Sequence, residues 1–111
     1  MQLTTREDGR VTIVAVAGDL VSGEPEAAFA KAVTRLLEQG HVQLLVDLEG
    51  LKFLDSSGLG ALVRAYTGSK KAGGQAKLVH VGPHARKLLQ MTKLDTLFEI
   101  HDDVPRAVSS F

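Results

Sequence analysis

The chain has 111 residues, of which 44% are apolar, and its 13 basic residues are balanced by 13 acidic ones. This length predicts a single domain over residues 1–111, because two hydrophobic cores would not fit. The balanced charge gives no indication of a surface for nucleic acid or anionic lipid. The absence of cysteine excludes disulfides, thiolate zinc sites and a cysteine nucleophile.

Neither a membrane span nor a secretory signal is predicted. The longest apolar runs, such as residues 13–17, are a fraction of the roughly 20 residues that cross a bilayer. The first residues lack the charged and then apolar pattern of a signal peptide. We therefore expect the protein to be cytoplasmic.

Apolar residues recur at strand spacing in several segments of the chain. The strands are predicted at residues 2–6, 11–17, 42–48, 77–81 and 97–101. Asp8-Gly9 favours a hairpin between the first two strands, and Gly18 is expected to end the second. The strongly apolar strand at 42–48 is predicted to lie at the centre of the sheet.

Helical spacing of apolar residues fills the intervals between these strands. Helices are predicted at residues 26–39, from Leu59 to Gly73-Gly74, from Pro83 onward and at 104–108. Because strands and helices alternate, the central strands are expected to be parallel, with right-handed crossovers. The fold class is therefore α/β, with a mixed sheet of four to five strands and helices packed against it.

The second of these helices has two distinct faces in the sequence. The face expected to be buried in the core carries Leu59, Leu62, Val63 and Tyr66. The face expected to point outward carries Gly60, Ala61, Arg64, Ala65 and Gly68. Small residues on an outward face would let a partner approach closely.

The segment Asp55-Ser56-Ser57-Gly58-Leu59-Gly60 precedes and begins that helix, and we expect it at the carboxyl end of the 42–48 strand. Binding sites in open α/β sheets gather at such strand ends, and free amides at a helix start attract negative groups. A serine there is exposed, and its phosphorylation adds about −1.5 to −2 charges. Because Asp and Ser are also the commonest helix caps, the residues alone favour simple capping.

Patterns that are typical of enzymes are incomplete in this segment. Gly58 and Gly60 lack the third glycine of a dinucleotide-binding loop, and no Walker A pattern occurs. Leu54 stands where a nucleophile elbow around Ser56 needs a glycine. A Ser-His-Asp triad stays open on paper, because its members need not be close in sequence. We predict no catalytic residues and no cofactor.

The four histidines are scattered along the chain. His80 and His84 are four residues apart, but a glycine–proline pair lies between them. They therefore do not share a helical face, and we expect neither a zinc pair nor any other metal site.

Over nearly its whole length the chain resembles a STAS domain of the kind found in bacterial anti-sigma factor antagonists. The specific part of the resemblance is Phe53-Leu54-Asp55-Ser56-Ser57-Gly58-Leu59-Gly60. Supporting parts are Gly18-Asp19-Leu20, Val46-Asp47-Leu48 and the turn Met91-Thr92-Lys93-Leu94. The resemblance implies the STAS fold and a binding module that is not an enzyme.

The resemblance also implies a partner switch. Such an antagonist binds an anti-sigma factor that is also a serine kinase, and this frees the sigma factor. The kinase uses ATP to phosphorylate the serine after the motif's aspartate, here Ser56, and the partner is then released. A PP2C-type phosphatase reverses the reaction. Neither direct contact with nucleic acid nor membrane insertion is implied.

The implied contact surface includes one departure from the family pattern. The family commonly has an acid where Val21 follows Gly18-Asp19-Leu20, and this departure bears on the efficiency of Ser56 phosphorylation more than on fold or binding. The residues expected to bind the partner are Asp19, Val21, Ser22, Asp55, Ser57, Gly58, Gly60, Ala61 and Arg64.

Two other functions stay open at this point. A STAS domain can also be an accessory subunit of a membrane lipid ABC transporter, and nothing added to this sequence decides between that role and the switch. An acyl- or nucleotide-binding module is the third possibility, supported only by the helix start.

Overall fold

The computed structural model describes residues 1–111 as one α/β unit with six strands and four helices. The strands are β1 (Gln2–Asp8), β2 (Val11–Leu20), β3 (Gln43–Asp47), β4 (Leu51–Leu54), β5 (Gln75–Val79) and β6 (Ile100–His101). The helices are α1 (Glu24–Glu38), α2 (Ser56–Lys71), α3 (Pro83–Met91) and α4 (Val104–Ser109), with a 3₁₀ turn at Leu94–Thr96.

The sheet is mixed, with the strand order β1-β2-β3-β5-β6 and with β4 paired to the end of β2. The hairpin predicted at Asp8-Gly9 is present and makes β1 antiparallel to β2. All other pairs are parallel, and β3 lies at the centre as predicted. The mixed α/β fold is confirmed, but the sheet has six strands rather than four or five, since the prediction treated β4 as part of a loop.

Gly18 does not end β2, contrary to the prediction. The strand continues to Leu20, and its register with β4 shifts between Gly18 and Asp19. Gly18 has a φ of 90°, in the left-handed region that glycine adopts at little cost, and its N–H donates to the carbonyl of Gly50 at 2.9 Å. This irregularity lets β2 leave β3 and pair with β4 instead.

The two faces of the sheet are covered unequally. The larger hydrophobic cluster, with Val14, Leu44, Phe29 and Leu62 among its members, lies between the sheet and the long helices α1 and α2. A smaller cluster lies on the opposite face under α4 and consists of Val11, Ile13, Leu45, Val79 and Ala107. The short helix α4 therefore leaves part of that second face uncovered.

Candidate functional site

Asp55 immediately precedes α2, and its carboxylate holds two loops together. Its Oδ1 accepts the backbone N–H of Gly58 at 2.8 Å, which caps the first turn of α2. Its Oδ2 accepts the backbone N–H of Ser22 at 2.9 Å, in the loop between β2 and α1. The bond from Ser22, followed by the bond from Gly58, lowers the pKa of Asp55, so the group is ionised at neutral pH.

Strand β4 brings these two loops together. Leu20 at the end of β2 lies opposite Leu54 at the end of β4, so the segments that follow both strands leave the same edge of the sheet. The motif segment was predicted at the carboxyl end of β3, but it lies at the carboxyl end of β4. This prediction was wrong because it treated β4 as part of a loop.

Ser56 is the first residue of α2 and is exposed. Asp55 and not Ser56 supplies the helix cap, and no side-chain hydrogen bond involves the Ser56 Oγ. Ser57, by contrast, is half-buried. The structure thus assigns capping to the aspartate and leaves the Ser56 hydroxyl exposed.

Gly58 was predicted to contact the partner, but it is buried against the end of β2 and is not available for contact. A Cβ at this position would overlap the carbonyl oxygen of Leu20 and would lie 2.9 Å from the Leu54 Cδ1. Glycine is needed here because any side chain would push α2 away from the sheet. Its contribution to the site is therefore structural.

Much of the face of α2 that was predicted to point outward is buried instead, beside the neighbouring helix α1. Ala61 and Ala65 are each only 2% exposed, and a Cβ on Gly68 would lie 3.0 Å from the Cδ1 of Leu37 on α1. These small residues lie three or four positions apart on one helix face, which lets the two helices approach closely. Ala61 therefore does not belong to a partner surface.

Helix α2 thus packs into the core on one side and beside α1 on another, and it keeps a solvent-facing side that includes Arg64. Leu59 is buried as predicted, but Val63 and Tyr66 are only half-buried. Arg64 is exposed and pairs with Glu26 of α1, with 3.2 Å between its Nη2 and the Glu26 Oε2. Arg64 remains accessible, although it also links the two helices.

The surviving candidate contact residues form what we call the Ser56 patch. Its exposed members are Asp19, Ser22 and Ser56, and its half-buried members are Val21, Ser57 and Gly60. The Asp55 carboxylate joins the two halves of this patch, because it bonds to both loops. Arg64 lies on the same helix as Ser56, two turns further along.

Sequence analysis missed a second group of polar side chains, Asp47, Glu49 and His80. The Nδ1 of His80 lies 2.9 Å from the Asp47 Oδ1 and 3.3 Å from the Glu49 Oε2. Asp47 ends β3 and His80 follows the neighbouring parallel strand β5, a placement that favours shared sites. His80 is far from Asp47 and Glu49 in sequence, so the spacing of the three residues gave no indication of this group. His84, which was not expected to pair with His80, packs against Phe53 with 5.4 Å between ring centroids.

Comparison with known proteins identifies the family. The STAS domain profile matches residues 2–107, and the chain therefore belongs to this family, as its resemblance implied. Sequence similarity extends to the anti-sigma F factor antagonist of Paenibacillus polymyxa, with 25% identity over 109 residues, 98% of this chain and 93% of that protein. None of the helices in the structure is long and apolar enough to cross a membrane.

Solved structures with the same fold include two antagonists. An anti-sigma factor antagonist from Mycobacterium paratuberculosis has a TM-score of 0.86 at 25% identity, over 98% of this chain and 92% of that one. The Bacillus antagonist SpoIIAA gives 0.76 in its unphosphorylated form, at 18% identity over 98% and 96% of the two chains. Its phosphorylated form gives 0.77, at 19% identity over 98% of each chain.

Proposed function

We propose that this protein is an anti-sigma factor antagonist that acts in the cytoplasm as the binding module of a partner switch. Unphosphorylated, it binds an anti-sigma factor that is also a serine kinase. Phosphorylation of Ser56 releases that partner, and a PP2C-type phosphatase restores binding. The observation that carries this proposal is the exposed Ser56 hydroxyl, which no side-chain hydrogen bond occupies, at the start of α2.

Asp55 caps α2 and Ser56 does not, and this difference supports phosphoryl transfer to Ser56. Because the Asp55 carboxylate already caps α2, modification of the Ser56 Oγ removes no hydrogen bond of the fold. In this step the Ser56 oxygen attacks the γ-phosphorus of ATP in the kinase, ADP leaves, and the hydroxyl proton passes to a base of the kinase. The chain supplies the acceptor alone, so it is a substrate and a binding module rather than an enzyme.

Charge explains why docking is the property that phosphorylation controls. A phosphate adds about −1.5 to −2 charges beside the ionised Asp55 carboxylate, in the centre of the Ser56 patch. The positive end of the α2 dipole favours that charge within the free protein. A partner shaped for a neutral hydroxyl must desolvate the charge on docking, so affinity falls while the fold survives. The similarity of this fold to SpoIIAA in both its unphosphorylated and its phosphorylated form supports the survival of the fold on phosphorylation.

Val21 makes one side of the patch less acidic than the family pattern. The neighbouring exposed acid is Asp19, which lies at the end of β2. In the proposed switch, Asp19 provides the negative charge that the kinase meets on this side. Val21 is half-buried, and its carbonyl accepts the N–H of Glu26, so its backbone also orders the start of α1.

Phosphopeptide mass spectrometry after incubation with the cognate kinase and Mg-ATP tests the proposal. We expect the phosphate on Ser56 and none in the Ser56→Ala variant, with Ser57→Ala as the matched control that is still modified. Phosphate that maps to Ser57, or that persists in Ser56→Ala, contradicts the proposal. Recovery of a transporter permease instead of a kinase with the tagged protein would favour the accessory-subunit role.

A further inference from the structure

We propose that Asp47, Glu49 and His80 form a binding site for a divalent transition-metal ion, a function separate from the partner switch. Their three donor atoms are the Asp47 Oδ1, the Glu49 Oε2 and the His80 Nδ1, all within 4.8 Å of one another. Asp47 is buried, His80 is half-buried and Glu49 is exposed, so the group opens to solvent on one side.

The spacing of the donors fits a shared ion. Carboxylate oxygens and imidazole nitrogens bind zinc at about 2.0–2.2 Å, which places neighbouring donors of one ion about 3–3.5 Å apart. The Nδ1 of His80 lies 2.9 Å from the Asp47 oxygen and 3.3 Å from the Glu49 oxygen. An ion can therefore bind among the three donor atoms with little movement of the side chains.

The location of the group is independent of the Ser56 patch. Asp47 lies two residues after Leu45, whose side chain belongs to the cluster under α4, so Asp47 points to the sheet face opposite α1 and α2. Asp47 and Glu49 line an open pocket of about 330 Å³ on this face, together with Gln2, Thr4 and Ala17. The pocket leaves room for the water or small anion that completes the ion's coordination.

The donor set selects the class of ion. One imidazole and two carboxylates suit Zn²⁺, Mn²⁺ or Co²⁺, whereas Mg²⁺ and Ca²⁺ prefer oxygen ligands alone. The backbone N–H of Glu49 donates to the Asp47 Oδ1 at 3.0 Å and orients that carboxylate, as outer-shell partners do in metal sites. Three protein ligands leave open coordination positions, as in sites that exchange water or substrate.

The site joins two connections of the fold. Glu49 lies between β3 and β4, and His80 lies between β5 and α3. A bound ion therefore cross-links these connections in the folded state, and it raises the melting temperature because it binds the native form preferentially.

Calorimetry with ZnCl₂ on chelator-treated protein tests this site, with the visible absorption of added Co²⁺ as the second readout. We expect one equivalent of Zn²⁺, a rise in melting temperature and no effect of MgCl₂. His80→Asn, which tolerates the left-handed backbone of this position (φ 57°), should weaken binding more than about tenfold. Glu49→Gln should also weaken Zn²⁺ binding. Because Glu49 is exposed, we expect this change to disturb folding less than a change at the half-buried His80.

His41→Ala is the matched control, because His41 faces a single glutamate, Glu7, at 3.2 Å. We expect Zn²⁺ affinity to be unchanged in this variant. The proposal is overturned if Co²⁺ keeps the spectrum of the free aquo ion, if His80→Asn and Glu49→Gln both bind Zn²⁺ as the parent does, or if His41→Ala loses as much affinity as His80→Asn.

Discussion

The carboxylate of Asp55 accepts the backbone N–H of Ser22 at 2.9 Å, across 33 residues of sequence. The same carboxylate caps α2 through Gly58, so a single side chain fixes both the loop after β2 and the start of the helix that carries Ser56. Beyond the pairing of β2 with β4, the Asp55 carboxylate therefore ties together the two loops that carry the Ser56 patch.

Asp55→Asn tests this relationship. An asparagine oxygen can accept one of the two N–H groups, but its amide nitrogen cannot accept the other. We expect a lower melting temperature and weaker partner binding, both measured against Asp102→Asn, an exposed aspartate, as the control. Because folding lowers the pKa of Asp55, its stabilisation is complete above the ordinary value of 3.8 and is lost as pH falls through the lowered one. A parent-like acid unfolding profile in Asp55→Asn contradicts this account.

Gly58→Ala and Gly60→Ala are predicted to change stability in opposite directions. At position 58 the added methyl group meets the backbone of Leu20, so we expect a loss of about 1–3 kcal/mol or more. At position 60 it lies 3.4 Å from the flexible end of Arg64, so the better helix propensity of alanine should add about 0.5–1 kcal/mol. Urea unfolding measures both variants. Equal effects at the two positions would show that Gly58 has no packing role.

Arg64 is expected to contribute more to docking than to stability. Its pair with Glu26 is exposed, so Arg64→Glu should cost less than about 1 kcal/mol of unfolding free energy. We expect the same change to weaken partner binding at least about tenfold. The double variant Arg64→Glu with Glu26→Arg restores the pair in reverse and should recover stability but not affinity. Recovery of affinity would mean that Arg64 acts only through α1.

Lys77 connects Glu99 to Ser110 near the C-terminus, and we expect this connection to weaken in acid. Its buried ammonium donates to the carbonyl and the hydroxyl of Ser110, at 2.7 and 2.9 Å, and contacts the Glu99 Oε2 at 2.8 Å. The hydrogen bond from Lys77, followed by that from His101 and a smaller one from Ser110, lowers the pKa of Glu99 from 4.5 to about 2. The resulting stabilisation is complete above about pH 5 and is lost as pH falls towards 2.

Glu99→Gln should therefore remove this acid-sensitive part of the stability. Because the Glu99 side chain is half exposed and its charge is screened, we expect a loss of about 1 kcal/mol at neutral pH. Denaturant unfolding at several pH values should show the variant and the parent converging near pH 2. A constant difference across that range would assign the effect to packing instead of charge.

The sequence predicted those parts of the fold that depend on local patterns. Apolar periodicity located β1, β2, β3, β5 and the long helices, and Asp8-Gly9 located the hairpin. Strand β4 was not predicted because it has only four residues. Its Lys52 and Phe53 are also both exposed, which breaks the alternation of a half-buried strand. Its pairing with β2 depends on the irregularity at Gly18, which no local pattern indicates.

The sequence predicted an exposed Ser56 near the start of α2, which the structure shows, but it did not predict the borders of the surface around that residue. The motif located Ser56, whereas the role of Ala61 was wrong because small residues suit a tight helix interface as well as an open surface. Periodicity shows that a helix face is different, but not whether another helix covers it. The bond between Asp55 and Ser22 and the cluster around His80 join residues 33 positions apart, a distance over which only tertiary structure gives information.

Titration calorimetry of the cognate anti-sigma factor kinase against Ser56→Ala and Ser56→Asp tests the central claim most directly. We predict tight binding by Ser56→Ala and a loss of about 30- to 1,000-fold for Ser56→Asp, equivalent to about 2–4 kcal/mol, with little change in melting temperature. Ser109→Asp, which places the same charge on the exposed surface of α4, should bind like the parent. Equal affinities of Ser56→Ala and Ser56→Asp would contradict the account, because charge at Ser56 would then not control docking.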